Sequence, residues 1–103
     1  MPKGYWIARV DVTDEAAYKN YIAANAKPFA KFNARFIVRG GPFESAEGKA
    51  RARNVVIEFP SYEAALACYK SAEYRDVLAI RAAAAQSDLI IISGYDGPQP
   101  GGG

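Results

Sequence analysis

Residues 53–74 read Arg-Asn-Val-Val-Ile-Glu-Phe-Pro-Ser-Tyr-Glu-Ala-Ala-Leu-Ala-Cys-Tyr-Lys-Ser-Ala-Glu-Tyr. The first part predicts a strand, Asn54 to Phe59, which ends at Pro60 because proline has no backbone N–H to give to a sheet. Ser61 follows as the predicted N-cap of a helix. Glu58 is the one acidic residue in an otherwise apolar strand, which makes it the first candidate for a functional role.

The composition predicts one globular domain without a histidine- or disulfide-based site. The chain has 103 residues, of which half are hydrophobic. Its 13 basic and 11 acidic side chains are too evenly balanced to indicate nucleic acid or an anionic membrane as a partner. It has one cysteine and no histidine, which excludes an intramolecular disulfide, a Ser-His-Asp triad, a Cys-His pair and a His-rich metal site. We therefore predict no metal and no cofactor.

The N-terminal residues and the single cysteine together predict a compartment. The first six residues, Met-Pro-Lys-Gly-Tyr-Trp, do not form an apolar signal core. No apolar run approaches the ~20 residues of a membrane span. Since Cys68 has no intramolecular partner, a reducing environment suits the chain, and the cytoplasm is the predicted location.

The segment before the central stretch predicts a strand, a helix and a second strand. Gly4 to Val12 alternates between apolar and polar residues as a strand does. Thr13 is the predicted N-cap of a helix from Asp14 to about Lys27, which Pro28 would interrupt or extend as a short second turn. Residues 34–40 form the predicted second strand.

The segment after the central stretch predicts more helix, a strand and a tail. Ser71 is the predicted cap of a second helical piece, and the last strand is predicted from Asp88 to Tyr95. Its apolar run, residues 89–92, is predicted to be buried on both faces. We predict a domain over residues 1–96 and a flexible tail rich in proline and glycine over residues 97–103.

The order of these elements predicts an α+β fold. Strand, helix, strand, strand, helix, strand is the ferredoxin-like βαββαβ arrangement, a four-stranded antiparallel sheet with helices on one face. The side chains predicted to pack on those helices are Trp6, Val10, Phe36, Val38, Val55, Ile57 and Phe59.

The other side of the predicted sheet resembles an interface. It combines an aliphatic centre with an aromatic and charged rim. We predict that two copies pack sheet to sheet as a homodimer; the alternative is a solvated sheet face. The predicted contacts are Ile7, Arg9, Ile37, Arg39, Val56 and Glu58.

Several segments taken together resemble one known family. They are residues 3–6 (Lys-Gly-Tyr-Trp), 11–14 (Asp-Val-Thr-Asp), 35–41 (Arg-Phe-Ile-Val-Arg-Gly-Gly), 55–61 (Val-Val-Ile-Glu-Phe-Pro-Ser) and 69–74 (Tyr-Lys-Ser-Ala-Glu-Tyr), with Arg81. In this combination, over Lys3 to Gly94, the chain resembles the domain of unknown function 1330 family. The resemblance implies a ferredoxin-like fold that pairs into a dimeric α/β barrel, without an established activity. Asn33 and Ala34 stand where that family usually has glycines, and asparagine tolerates the left-handed geometry of such a turn.

The candidate site residues are one carboxylate and a group of arginines and tyrosines. Glu58 could act as a base, or form a structural ion pair with Arg39 or Arg53. The two arginines could instead clamp a carboxylate or phosphate. The tyrosines lie on predicted helices and are either core residues or pocket walls. The ligand-binding candidates are Tyr18, Tyr21, Asn25, Arg39, Arg53, Tyr69 and Tyr74.

Three functions fit these observations. The first is a protein that binds a small anionic or aromatic molecule between sheet and helices. The second, which rests on fold analogy, is a cofactor-independent enzyme such as a small monooxygenase or isomerase. The third is a structural or assembly protein without a site.

Overall fold

A computed structural model describes residues 2–102 of the chain. Its sheet contains β1 (Gly4–Val12), β2 (Arg35–Arg39), β3 (Arg53–Phe59) and β4 (Ala85–Ser93). The strands lie in the order β2-β3-β1-β4, and each neighbouring pair is antiparallel. The helices are α1 (Glu15–Ala24), α2 (Ala26–Lys31), α3 (Tyr62–Lys70) and α4 (Ala72–Ala84). The predicted α+β, ferredoxin-like fold is confirmed.

Serine caps begin α3 and α4 as predicted. The Ser61 hydroxyl accepts the Ala64 N–H at 3.0 Å, and the Ser71 hydroxyl accepts the Tyr74 N–H at 3.2 Å. Each bond satisfies one of the N–H groups that a helix leaves free in its first turn.

The predicted cap and end of the first helix are wrong. Asp14, not Thr13, is the N-cap, and its carboxylate accepts the Ala17 N–H at 3.1 Å. The Thr13 hydroxyl instead donates to the Ala84 carbonyl, 3.0 Å away, and this tertiary contact replaces the predicted cap of α1. The helix ends at Ala24 rather than about Lys27. The predicted short second turn at Pro28 is present as α2, in whose first turn a proline costs no helical hydrogen bond.

A bulge in β2 changes which residues face the helices. Phe36 lies opposite Ile57, but Val38 lies opposite Val56, so β2 has one extra residue between these pairs. Because side chains alternate along a strand, the extra residue reverses the faces beyond it. The predictions for Val38 and Arg39 are therefore wrong: Val38 lies on the solvent-facing side, 44% exposed, and Arg39 lies on the helix side.

The last strand begins earlier than predicted and is buried on one face only. It runs over Ala85–Ser93 rather than 88–95. Ile90 and Ile92 are 54% and 45% exposed, so the predicted burial of both faces is wrong. The reason is that β4 is an edge strand and the helices cover only one face of the sheet.

The core centres on Trp6. Its indole N–H donates to the Ala65 carbonyl at 2.9 Å, which ties β1 to α3. Gly4 lets the backbone of β1 lie close to the backbone at the start of α3, because a Cβ at this position would lie 2.3 Å from the Ser61 carbonyl oxygen. The rings packed around the indole, with centroids 4.9 to 5.6 Å away, belong to Phe29, Phe59, Tyr69 and Tyr74.

Residues 94–102, the described part of the chain after β4, add no helix or strand. The domain limit at residue 96 and the flexibility of residues 97–103 stay predictions, and their end residues, Met1 and Gly103, lie outside the described range. Among the described helices, none has the length and apolar character that crossing a membrane requires.

Candidate functional site

A small cavity lies between the sheet and the helices. Its volume is about 30 Å³, which is room for a group of a few atoms and not for a whole metabolite. We call it the arginine cavity. Its walls are Trp6, Ala8, Val10, Tyr18, Tyr21, Ile22, Asn25, Phe29, Phe36, Arg39, Arg53, Val55, Ile57, Arg81 and Leu89.

Three guanidinium groups line this otherwise largely apolar space. Arg39 comes from β2, Arg53 from β3 and Arg81 from α4. Within residues 2–102, no salt bridge or side-chain hydrogen bond joins any of the three to another residue. Arg81 is only 7% exposed, and the Nε atoms of Arg53 and Arg81 are buried without an acceptor. Arg39 is exposed and Arg53 is half-buried, so the buried charge lies at Arg81 and at the Nε of Arg53. Because buried charges in proteins are normally paired, this arrangement is suited to an anion.

Each of these three arginines makes a cation–π contact with an aromatic ring. The Arg39 guanidinium carbon lies 4.1 Å from the centroid of the Phe36 ring. The corresponding distances are 5.8 Å from Arg53 to Tyr18 and 5.9 Å from Arg81 to Tyr21. These cation–π contacts orient the guanidinium groups but leave their N–H groups free to bind a ligand.

One phenol that lines the cavity, Tyr21, is hydrogen-bonded to a second phenol behind it, Tyr74. The Tyr21 and Tyr74 hydroxyl oxygens lie 2.8 Å apart. Burial raises the pKa of Tyr21 above its ordinary value, although the hydrogen bond with Tyr74 and the charge of Arg81 oppose this shift. Burial also raises the pKa of Tyr74. Both phenols are therefore neutral near pH 7 and do not supply the missing negative charge.

Most of the predicted ligand-binding residues meet at this cavity. Those that line it are Tyr18, Tyr21, Asn25, Arg39 and Arg53. Tyr74 reaches it only through the hydroxyl of Tyr21, and Tyr69 does not line it. The Tyr69 ring packs on Trp6 and is covered by Arg75, whose guanidinium carbon lies 4.3 Å from its centroid.

Arg81 is a cavity residue that the site prediction missed. The buried residues of α4 are Tyr74, Val77, Arg81 and Ala84, a spacing of three, four and three that marks one helix face. An arginine on the buried stripe of a helix was the signal that could have identified it.

Glu58 lies on the opposite side of the sheet from the cavity. It accepts the Tyr5 hydroxyl at 3.2 Å, and Arg35 Nε lies 3.6 Å from its other oxygen. The predicted ion pair with Arg39 or Arg53 is wrong, since both arginines lie on the helix side. Glu58 is thus separated by the sheet from the other candidates. Among the described residues, no three Cys, Asp or Glu side chains cluster as metal ligands do.

Comparisons with known proteins place the chain among uncharacterised relatives. A family described as "Domain of unknown function (DUF1330)" matches residues 3–95. A comparison with curated proteins found no similar sequence.

Solved structures share the fold at low sequence identity. A protein of unknown function from Rhodopseudomonas palustris is 17% identical, with a TM-score of 0.72 over 93% of this chain and 85% of that one. SnoaB, a cofactor-independent oxygenase from Streptomyces nogalater, is 13% identical, with a TM-score of 0.63 over 94% of this chain and 97% of its own. A Bacteroides thetaiotaomicron protein described as a possible oxidoreductase is 18% identical, with a TM-score of 0.54 over 89% and 97%.

Proposed function

The chain belongs to the DUF1330 family, and we propose that it binds a small molecule through a carboxylate-type anionic group held in the arginine cavity. The observation that carries this proposal is the set of guanidinium groups, Arg39, Arg53 and Arg81, that line the cavity without an acidic partner among the described residues. A carboxylate would give the buried Nε–H groups charge-assisted acceptors, which are about twice as strong as neutral ones.

The cavity walls favour an anionic group attached to an apolar body. Indole, phenyl and phenol rings and aliphatic side chains make up most of the lining. Asn25, which is 5% exposed and lines the cavity, could add an amide donor to the arginines. The polar groups of the cavity therefore include more hydrogen-bond donors than acceptors. A ligand group that only accepts hydrogen bonds, such as an ionised carboxylate, matches this set.

Thermal unfolding with small carboxylates tests the proposal. Benzoate and butyrate should raise the melting temperature, because a ligand present at 100 times its Kd adds about 2.7 kcal/mol to the free energy of unfolding. The isosteric amide benzamide, which has no charge, should not. The substitution Arg81→Met should abolish the carboxylate effect, whereas Arg75→Met, an exposed arginine outside the cavity, should preserve it. Equal effects of benzoate and benzamide, or none from any carboxylate, would contradict the proposal.

We also propose that the chain is a homodimer through the exposed face of its sheet, which we call the outer face. Val38, Val56, Ile7 and Ile90 lie opposite one another in successive strands and form an aliphatic row across the whole sheet. Ile7 and Val38 are 36% and 44% exposed. A continuous apolar row of this kind on one chain is typical of an interface.

The charges on the outer face suit a second copy of the same face. The row beside the aliphatic one holds the ion pair of Arg35 and Glu58 together with Tyr5. On the other side of the aliphatic row, Arg9 lies opposite Asp88. Since positive and negative groups alternate, a two-fold related copy meets no surplus of like charge.

A cofactor-independent enzyme is a second candidate, supported by the likeness to the SnoaB fold. In such an enzyme Glu58 would act at the outer face, because the sheet separates it from the cavity. Incubation of candidate small-molecule substrates with the protein in air, followed by mass spectrometry, distinguishes an enzyme from a binder. Turnover by the wild type that Glu58→Gln leaves unchanged would exclude Glu58 as the base. If no ligand binds, a structural or assembly role becomes the favoured function.

We propose a cytoplasmic location on the evidence of Cys68. Cys68 is the one cysteine of the chain and is free, and a chain that makes no intramolecular disulfide suits a reducing compartment. Fractionation of cells that express the native gene tests this location.

A further inference from the structure

A surface groove adjoins the arginine cavity. Its volume is about 370 Å³, an order of magnitude more than that of the cavity and within the range of small-molecule sites. Three of its residues, Tyr18, Ile22 and Arg53, also line the cavity. These side chains form the partition between the two spaces. The residues of the groove are Val12, Glu15, Tyr18, Lys19, Ile22, Ala52 and Arg53.

The partition leaves room for the head group of a ligand in the cavity and for its tail in the groove. Arg53 lines both spaces, its Nε is buried, and its guanidinium lies over the Tyr18 ring. Arg53 also packs closely on Gly40, where a Cβ would lie 2.6 Å from its guanidinium nitrogen. The missing side chain at Gly40 therefore gives the guanidinium its place at the partition.

The groove offers aliphatic walls, and Arg53 is its one charged residue without an oppositely charged counterpart in the lining. Val12, Ile22 and Ala52 supply aliphatic surface. The side chains of Glu15 and Lys19 carry opposite charges that offset each other. Because the carboxylate in the cavity would already engage Arg53, a second carboxylate in the groove would gain little, whereas a neutral apolar tail would lose contact with water.

We propose that the ligand is an elongated monocarboxylate, with its carboxylate in the arginine cavity and an apolar tail that passes Tyr18, Ile22 and Arg53 into the surface groove. This inference rests on the proposed function, because it uses the same anion site. It adds the shape and class of the molecule: the cavity, at about 30 Å³, holds a head group alone, and the groove, at about 370 Å³, holds the remainder. Entry requires the half-buried side chains of Ile22 and Arg53 to rotate.

Calorimetric titration with acetate, butyrate, hexanoate and octanoate tests the inference. Each added methylene that enters the groove should tighten Kd about threefold to fourfold until the groove is filled. Adipate, which has the chain length of hexanoate and a second carboxylate, should bind more weakly than hexanoate. Hexanamide should bind at least tenfold more weakly than hexanoate.

A matched pair of tryptophan substitutions locates the tail. Ala52→Trp fills the groove from an exposed position, and the Ala52 N–H can still donate to Asp11. Ala50→Trp adds the same side chain two residues earlier, at an exposed position that lines neither space. The gain per methylene should vanish in Ala52→Trp and persist in Ala50→Trp. Val12→Thr, which keeps the shape of the groove wall but makes it more polar, should reduce the gain.

The outcomes separate this inference from the proposed function. Arg81-dependent binding whose Kd does not change with chain length, or a length dependence that Ala52→Trp leaves intact, would overturn the inference but leave the anion site standing. An absence of binding by every carboxylate in the series would overturn both.

Discussion

The hydroxyl oxygen of Tyr21 lies 2.8 Å from that of Tyr74, so one hydrogen bond joins α1 to α4 inside the core. Tyr74 is completely buried and Tyr21 is 7% exposed. Each hydroxyl therefore depends on the other, because a buried polar group without a partner costs about 1–3 kcal/mol. The bond also fixes the wall of the arginine cavity that lies next to Arg81.

A double-mutant cycle should measure this dependence. Tyr74→Phe alone should lower the free energy of unfolding by about 1–3 kcal/mol, since it leaves the Tyr21 hydroxyl without its partner. The combined Tyr21→Phe and Tyr74→Phe protein should lose less than the sum of the single variants. Urea unfolding at one fixed protein concentration gives these values. Strictly additive losses would show that the two hydroxyls do not interact.

Association through the outer face should depend on the middle of its aliphatic row. Val56→Lys places a charge at the centre of that row, opposite Ile7 and Val38, and should convert the proposed dimer to a monomer. Ala67→Lys adds the same charge at an exposed position of α3 and should leave the dimer intact. Size-exclusion chromatography with light scattering at micromolar concentration measures both. A wild type that is already monomeric would reject the interface.

Low pH should release the connection between β1 and the loop before β3. Hydrogen bonds from the Ala52 N–H and from Arg51 hold the pKa of Asp11 below its usual value. A lowered folded-state pKa means that this stability is present above the unfolded pKa of about 3.9 and is lost as pH falls through the folded value. Asp11→Ala should thus lower the melting temperature at pH 7, and the difference should shrink below about pH 3. A difference that is constant from pH 7 to pH 2 would contradict this assignment.

The thiol of Cys68 should be inert until the protein unfolds. Burial raises the pKa of the thiol to about 12, so that at pH 8 only about one in ten thousand is ionised. Ellman's reagent at pH 8 should therefore react in native buffer only as fast as the chain opens, and within seconds in urea. Rapid stoichiometric reaction of the native protein would show that the Cys68 side of the core is open to solvent.

Local signals in the sequence were sufficient for some elements. Ser61 and Ser71 each cap a helix through a hydrogen bond to a residue three positions later, so the signal and its effect lie in the same turn. The alternation of β1 likewise follows from its own residues, and its predicted bounds, Gly4 and Val12, are those observed.

Features that depend on distant partners were not predictable in this way. The bulge at Ile37 exists only in the pairing of β2 with β3, and it reverses the expected faces of Val38 and Arg39. The change from α4 to β4 lies between Ala84 and Ala85, without a glycine or proline to mark it.

The end of α4 is instead fixed from outside the helix. The N–H groups of Thr13 and Asp14 donate to the Ala84 carbonyl at 2.8 and 3.0 Å. The candidate site was likewise only partly predictable, because some of its residues are brought together by distant parts of the chain. The tyrosines of α1 were found from helical spacing, but the arginine cavity also needs Arg39, which the bulge moves, and Arg81, which lies on another helix.

Nitrogen-15 NMR of the arginine Nε–H groups tests the central claim most directly. With butyrate added to saturation, the Nε–H signals of Arg53 and Arg81 should shift and become protected from exchange with water, because the carboxylate supplies the acceptor that each lacks. The signal of Arg75, whose Nε–H already donates to the Tyr69 carbonyl at 3.0 Å, should stay in place. Shifts confined to Arg75 and other arginines outside the cavity, with Arg53 and Arg81 unchanged, would contradict the anion site.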